Sequence, residues 1–395
     1  MLLDCHKAFF VGKIYTIMEA YLVIYIIFYL ITFSLIAAGY VLENQQNEVK
    51  KNQIVTSSTW IVAIAYVLLL SLRGMTGTDT KSYLKIFENN LYDQFHIEWI
   101  SRLAMVTCSH LGLPFESVEV MFALLTVIPL AIVLTKYTAN SLIAMSGLFI
   151  YGYILLAFNI SRQMIAVSFF VAAVLLWMNG GNKKIKIGAI ILSVLAVSFH
   201  SSAIIMLAGF LFIHYFAAQK SKLMKGVLPG IALFIIVLSA VIYTFAPLET
   251  IGAALYHSGI LGDNYSYYLR PEVRAHIFGR PAKLTMAIAI LTAGTVFIRF
   301  KYLEIKKEKY DVSISMLALV YALLTSLNIG WISDRLSYYF LPFLSILLVD
   351  ILTMKESKKT FKSFAVLMLL LISLLIFKRM FQYNYGGIIP YVGVF

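Results

Sequence analysis

The sequence predicts an all-α, polytopic integral membrane protein with about twelve transmembrane helices. Of its 395 residues, 61% are hydrophobic and only 13% are charged, and the mean hydropathy is +0.86, which is far from the composition of soluble domains. Apolar segments long enough to cross about 30 Å of hydrocarbon recur along the chain. Lysine-rich junctions separate them at alternate gaps. These observations together predict a single transmembrane domain over residues 1–395.

The predicted crossings follow one another along the chain. Each is close to the roughly 20 apolar residues that a transmembrane helix needs. Because lysine returns at every second junction, the number of crossings should be even and both termini should face outward. In chain order, the segments cover residues 20–42, 54–72, 118–135, 141–158, 161–178, 185–199, 201–217, 226–246, 283–300, 312–330, 335–353 and 361–378.

Three long apolar stretches are predicted to fold as hairpins. At 1.5 Å per residue, residues 185–217 would form a helix about 50 Å long, well beyond the hydrocarbon thickness. A break near the polar residues in its middle keeps the lysines at both ends on one side. The same reasoning breaks residues 141–178 at 159–163 and residues 312–353 at 328–335. The three predicted tips carry Arg162, His200 and Arg335.

Lysine and arginine largely separate between the two predicted sides of the membrane, although Lys81, Lys85 and Lys283 fall on the arginine side. An excess of lysine in short loops marks the cytoplasmic side. Arg299 is the only arginine at the lysine-rich junctions, and the other eight fall at the intervening, outward ones. Since guanidinium groups bind phosphate or carboxylate bidentately, the outward arginines indicate a site for an anionic substrate. The predicted cytoplasmic loops lie near residues 43–53, 179–186, 218–225, 300–311 and 354–362.

Two outward loops are large enough to contribute to such a site, near residues 73–117 and 247–283. The second half of the first loop, from His96 to Leu111, places apolar residues at helical spacing and is predicted to be an amphipathic helix in the membrane interface. The second loop combines tyrosines, a carboxylate and clustered arginines, a composition that suits a ligand that is part sugar and part phosphate. Its arginines are Arg270, Arg274 and Arg280.

The sequence predicts no cofactor, no metal and no nucleic-acid partner. Cys5 and Cys108 suggest no disulfide framework, and neither paired His or Cys ligand spacing nor a glycine-rich phosphate loop is found. The inward lysines and outward arginines account for the net charge of +13. No cleaved signal peptide is predicted; residues 1–17 are an atypical lead-in, and Met18 is an alternative start.

Four motifs occur in order: Arg-x-x-x-Gly-Thr-Asp-Thr-x-x-Tyr-x-x-x-Phe from Arg73 to Phe87, Asn-Ile-Ser-Arg-Gln from Asn159 to Gln163, Phe-His-Ser-Ser-Ala from Phe199 to Ala203, and Arg335 with Tyr338-Tyr339-Phe340. This series resembles the EpsG family of Wzy-like exopolysaccharide polymerases, over residues 18–380. The sequence departs from the family where an acidic-Pro-Gly stretch is usual, because it reads Glu98-Trp99-Ile100 there.

The resemblance implies metal-independent transfer of a growing glycan from undecaprenyl pyrophosphate to a hydroxyl of the next lipid-linked repeat unit. Fixed guanidinium groups would stabilise the departing pyrophosphate, which is the role expected of Arg162 and Arg335. A histidine or a carboxylate would accept the proton of the hydroxyl, and the candidates are His200 and Asp79. Substrate and pyrophosphate binding would involve Arg73, Thr78, Tyr83, Gln163, Arg270, Arg274 and Arg280. The expected location is the outer face of the bacterial plasma membrane, with a chain-length regulator or export complex as a candidate partner.

Structural roles are open for the same residues. An interfacial arginine can be a snorkelling anchor, and His200 can cap a helix. Asp79 can pair with Arg73, and Asp334 can neutralise Arg335.

Other classes of protein are open too. A flippase or solute transporter would place polar groups near the bilayer midplane, often in repeated halves, whereas here charges gather at the predicted tips. A glycan ligase would use the same outward groups, and a non-catalytic export subunit would use the arginines for docking.

Overall fold

The computed structural model describes residues 23–93, 97–219, 228–245, 283–303, 308–327, 330–354, 358–382 and 387–388. Every regular element among these residues is a helix, so the predicted all-helical class is confirmed. Eight helical segments in this part of the chain are long and apolar enough to cross a membrane, and one of them, Ser333–Thr353, is divided by a 3₁₀ turn. The total of about twelve crossings stays a prediction.

The described helices, numbered in chain order, are α1 (Val23–Leu42), α2 (Glu48–Ser71), α3 (Thr78–Asn89), α4 (Trp99–His110), α5 (Phe115–Tyr137), α6 (Ser141–Ile150), α7 (Tyr153–Leu156), α8 (Ser161–Asn179), α9 (Lys183–Phe199), α10 (Ala203–Gln219), α11 (Leu228–Phe245), α12 (Lys283–Tyr302), α13 (Glu308–Leu327), α14 (Gly330–Ser337), α15 (Pro342–Thr353) and α16 (Lys359–Gln382). A 3₁₀ turn, Tyr338–Phe340, joins α14 to α15. The chain forms two compact units, which are described separately: unit 1 contains Met1–Ala203 and Phe377–Phe395, and unit 2 contains Ile204–Ile376.

The central helix of unit 1 is α8. It packs against α5 and α9, while α2 packs against α5 and α6. From Ser161 to Leu175, every residue of α8 is buried except Arg162. A helix that is apolar all round belongs in the interior of a bundle, so the sequence of α8 suits this position. Arg162 is the one residue of this stretch that is partly open to the surroundings.

The three predicted breaks can be compared with the helix ends. Helix α8 begins at Ser161, and α9 ends at Phe199 shortly before α10 begins, so the first two breaks are confirmed. Within the apolar stretch of residues 141–178, Gly152 (φ +81°) adds a break between α6 and α7 that the sequence did not predict. The third break is confirmed as well, because α13 ends at Leu327 and the next candidate span begins at Ser333. Arg335 lies in the last turn of the short helix α14. There the Ser337 hydroxyl donates to the carbonyl of Asp334 (2.7 Å), so the polar residues are accommodated within the helix.

The first predicted outward loop contains two helices, α3 and α4. The predicted helix is present as α4, and its buried face consists of Ser101, Met105 and Cys108. Its position in the membrane interface stays a prediction. Trp99 is 63% exposed. The reason for this orientation is that α4 packs on α5 and α9, which select the face it buries. Residues 247–282 of the second predicted outward loop lie outside the described residues.

In unit 2, α13 packs against α12, α14 and α15, and α11 packs against α12 and α13. Arg299, in the last turn of α12, is 1% exposed. Its Nη2 lies 3.6 Å from Oδ2 of Asp311 in the first turn of α13, and its Nη1 donates to the sulfur of Met354 (3.1 Å). A buried ion pair therefore joins α12 and α13 at these ends.

Candidate functional site

The candidate site is centred on the carboxylate of Glu98, the residue immediately before α4. Oε1 of Glu98 lies 2.8 Å from Nδ1 of His200, which follows α9. Oε2 accepts a hydrogen bond from Nη1 of Arg162, in the first turn of α8. One carboxylate thus brings together a guanidinium and an imidazole that the sequence places on separate helices.

Tyr83 of α3 contacts the guanidinium of Arg162. Nε of Arg162 donates to the Tyr83 hydroxyl (3.1 Å), and the guanidinium carbon lies 5.4 Å from the centroid of the tyrosine ring. The N–H groups at the start of α8 add partial positive charge near this guanidinium. The arrangement therefore favours an oxyanion at this position, which the Glu98 carboxylate occupies.

His200 lies where α9 ends. Its backbone N–H donates to the carbonyl of Ala196 (3.1 Å), and its own backbone is extended (φ −159°, ψ 117°). Because an ionised carboxylate only accepts hydrogen bonds, the contact with Glu98 assigns the ring proton of His200 to Nδ1. The partial negative charge at the C-terminus of α9 favours the protonated imidazole. In this tautomer Nε2 is the basic ring nitrogen.

The three side chains are enclosed but reachable. Arg162 retains 19% of its side-chain exposure, Glu98 18% and His200 21%. Partial desolvation strengthens charge–charge interactions relative to those of a fully exposed pair. The remaining exposure allows a ligand oxygen to approach the guanidinium and the imidazole.

Arg73, which the sequence also singles out, is buried and does not contact Glu98 through the hydrogen bonds of its guanidinium. Its Nε donates to Oε1 of Glu119 in α5 (2.9 Å), its Nη1 to the carbonyl of Ala157 (2.7 Å) and its Nη2 to the hydroxyl of Ser161 (3.1 Å). The carboxylate partner of Arg73 is therefore Glu119. By binding Ser161, the first residue of α8, Arg73 positions the helix turn that carries Arg162.

The cavity beside Arg73 is very small. Its volume is about 10 Å³, which is room for roughly one water molecule. A sugar or a pyrophosphate group is far larger than this space. In the described structure Arg73 therefore acts on the protein scaffold. The cavity is lined by Leu70, Arg73, Glu119, Phe122, Ala123, Thr126, Ala157 and Ser161.

The first motif folds against the second at the start of α3. The side-chain oxygen of Asn159 accepts hydrogen bonds from the Thr78 hydroxyl (2.5 Å) and from the backbone N–H of Asp79 (3.0 Å). The N–H of Gly77 donates to the carbonyl of Gly387 (3.1 Å). These two backbone N–H groups thus donate to protein oxygens and fix the start of α3.

The predicted site residues therefore fall into several groups. Arg162, His200 and Tyr83 converge around Glu98; Thr78 and Asp79 lie at the start of α3; Gln163 is buried in α8. Arg335 belongs to unit 2, where it is half-buried in α14. Arg270, Arg274 and Arg280 lie outside the described residues.

The sequence did not predict Glu98 as the partner of Arg162, nor Glu119 as the partner of Arg73. A signal for Glu98 was present, because it is the acidic residue that remains where the family's acidic-Pro-Gly stretch is expected. Glu119 is an acidic residue inside an otherwise apolar segment, and such a residue is costly in a membrane without a partner. Pairing each of them with the correct arginine required the fold.

The helices define a multi-pass membrane protein, and one of its helical units contains a partly buried Arg–Glu–His cluster. The chain belongs to the EpsG family, whose pattern matches residues 58–392. This membership associates it with polysaccharide biosynthesis. No curated protein and no solved structure matches the chain.

Proposed function

We propose that this protein is a glycosyltransferase that polymerises lipid-linked oligosaccharide repeat units. The donor is a glycan on undecaprenyl pyrophosphate, and the acceptor is a hydroxyl of the next lipid-linked unit. The reaction takes place at the outer face of the bacterial plasma membrane, and both chain termini lie on that side. A chain-length regulator or an export complex is the expected protein partner.

The chemistry of this reaction needs two kinds of group. Negative charge develops on the departing pyrophosphate, and a fixed guanidinium stabilises it. The acceptor hydroxyl loses its proton to a positioned base as the new C–O bond forms. Energy is already stored in the bond between the glycan and the pyrophosphate, so no nucleotide is needed.

The observation that carries the proposal is the convergence of Arg162 and His200 on one carboxylate at the ends of α8 and α9. In this assignment Arg162 stabilises the leaving pyrophosphate and His200 accepts the proton at Nε2. Tyr83 holds the guanidinium, and Arg73 positions the first turn of α8 through Ser161. Roles for Asp79, Thr78, Gln163, Arg335 and the arginines of residues 247–283 in substrate binding are part of the same proposal.

The test compares Arg162→Ala with Arg102→Ala in cells, at verified equal protein level. Arg102 is a suitable control because it lies on α4, is 44% exposed in its side chain and pairs with Asp93 outside the cluster. The surface polysaccharide is sized, and any lipid-linked repeat unit is located across the membrane. We expect Arg162→Ala to lose long polymer and to accumulate single units on the outer face, while Arg102→Ala makes normal polymer.

Other results would identify other functions. Units trapped on the inner face would indicate a flippase, and finished polymer left on its carrier would indicate a ligase. Unchanged polymer in Arg162→Ala would contradict the role given to this arginine.

A further inference from the structure

We propose that Glu98 is a positioning residue that couples pyrophosphate binding at Arg162 to proton acceptance by His200. The inference rests on the proposed function, and it links stabilisation of the leaving group by Arg162 to proton acceptance by His200. In the described structure the Glu98 carboxylate occupies the position on Arg162 where a substrate oxyanion would bind, and it holds His200 at the same time.

The geometry divides the carboxylate between two partners. Oε2 faces the guanidinium of Arg162, and Oε1 faces Nδ1 of His200 at 2.8 Å. While both contacts exist, the positive charge of Arg162 offsets part of the negative charge that Glu98 presents to His200. The imidazole is thereby a weaker base than it would be beside an uncompensated carboxylate.

A pyrophosphate oxygen offers Arg162 the same kind of contact as Glu98 does, since guanidinium binds carboxylate and phosphate in the same way. The pyrophosphate carries more negative charge and also gains from the partial positive charge at the start of α8. It therefore displaces Oε2 of Glu98 from Arg162. The charge of Glu98 then acts on His200 alone, so the base gains strength when the donor is bound.

The groups that surround His200 are consistent with this assignment. Its helix, α9, packs against α4 and α8. Glu98 precedes α4 and Arg162 begins α8, whereas Arg102, one turn further along α4, is paired with Asp93. The lysines of α9 lie at its other end, within its first turn.

The resulting step is balanced. The acceptor oxygen forms a bond to the anomeric carbon of the donor and gives its proton to Nε2 of His200. The bond between that carbon and the pyrophosphate oxygen breaks, and the electron pair leaves on the pyrophosphate facing Arg162. The imidazolium, stabilised by Glu98 through Nδ1–H, returns its proton to solvent after the products leave.

The first experiment needs no turnover and uses inorganic pyrophosphate with the purified full chain in nanodiscs. If Glu98 competes for Arg162, Glu98→Gln should bind pyrophosphate about tenfold more tightly than wild type, because the competing charge is gone. Arg162→Ala should lose this binding, and Asp93→Asn, which removes an exposed carboxylate outside the cluster, should bind as wild type does. If Glu98→Gln binds pyrophosphate as tightly as wild type or more weakly, pyrophosphate does not compete with Glu98 for Arg162, and the proposal is overturned.

The second experiment measures polymer formation from lipid-linked repeat units as a function of pH. Without the carboxylate, the imidazole is a weaker base, so in Glu98→Gln the acid limb of the rate profile should move about one pH unit lower and kcat should fall 10- to 100-fold. The KM for the donor should fall or stay constant. An acid limb that stays in place, with KM raised, would indicate a purely structural residue and would overturn the proposal.

Glu98→Asp covers the case in which the glutamine variant does not fold. It keeps the charge and suits the position before a helix, but it is one methylene shorter. In Glu98→Asp the acid limb of the rate profile should fall at a pH between that of wild type and that of an uncharged variant. An acid limb at the wild-type pH would overturn the coupling. If wild type binds pyrophosphate with the predicted competition but forms no polymer, the proposed function fails while the competition at Arg162 stands.

Discussion

Gly77 is a residue of unit 1 at which the backbone leaves no room for a side chain. Its φ of +93° is one that L side chains rarely adopt, and a Cβ atom there would lie 2.1 Å from the carbonyl oxygen of Phe158. The close approach lets the start of α3 meet Asn159, which precedes α8. A single glycine therefore brings together two of the motifs that the sequence separates by some eighty positions.

Gly77→Ala should destabilise the protein severely, because neither the φ value nor the backbone contact leaves room for a methyl group. We expect a loss of at least about 3 kcal/mol in the free energy of unfolding, or failure to accumulate. Gly112→Ala is the matched control: it also has a positive φ (+65°), but a Cβ atom would meet nothing within 4 Å. It should lose only about 1 kcal/mol. Thermal unfolding in detergent measures both, and equal losses would refute the steric argument.

Arg73 and Glu119 form a second residue-level test, because a buried ion pair is sensitive to the loss of one partner. Arg73→Met leaves the carboxylate of Glu119 buried without its guanidinium, and it should cost about 3–5 kcal/mol. The double variant Arg73→Met/Glu119→Met removes both charges and should recover most of that loss. A double-mutant cycle on unfolding gives the coupling. No recovery in the double variant would mean that the hydrogen bonds to Ala157 and Ser161 dominate.

At the scale of helices, the sequence predicted the elements better than their contacts. Apolar windows predicted the helices, and polar residues predicted the breaks at Asn159 and His200, because both signals are local. The third break rests on the same kind of local signal, and α13 ends at Leu327, next to the predicted polar stretch. The pairing of Glu98 with Arg162 and His200 depends on how α4 packs against α9, and no local pattern contains that information.

Asn159 links two elements, and its removal should affect α3 more than α8. Its side-chain oxygen caps the start of α3, so Asn159→Ala should cost about 1 kcal/mol and speed hydrogen exchange in the first turn of α3. Asn182→Ala is the control, because Asn182 caps the start of α9 by accepting from the N–H of Ile185 (2.9 Å). It should cost a similar amount and speed exchange in α9 only. Unchanged exchange in α3 would show that Asn159 does not fix its start.

For the whole molecule, the distribution of charge predicts which side faces outward. Lysine gathers at alternate junctions and arginine at the others, within a chain of net charge +13. The candidate cluster of Glu98, Arg162 and His200 belongs to the arginine side in this scheme. Orientation is therefore the property on which access of an outer-face substrate to this cluster depends.

Cysteine labelling in intact cells tests this orientation. Asp93, whose side chain is 80% exposed, lies on the predicted outer side, and Gln46, exposed between α1 and α2, lies on the predicted inner side. The background is a variant with Cys5→Ser. Cys108 can stay, because it is buried and burial raises the pKa of its thiol, which lowers the thiolate fraction near neutral pH.

Asp93→Cys should react with a membrane-impermeant maleimide in intact cells, whereas Gln46→Cys should react only after the membrane is opened. The Cys5→Ser background without an added cysteine should not react with the maleimide in intact cells or after the membrane is opened, which verifies that burial protects Cys108. The reverse pattern would place Glu98, Arg162 and His200 on the cytoplasmic side. Such a result would contradict outer-face polymerisation, because the donor and the acceptor would then be on the wrong side of the membrane for this site.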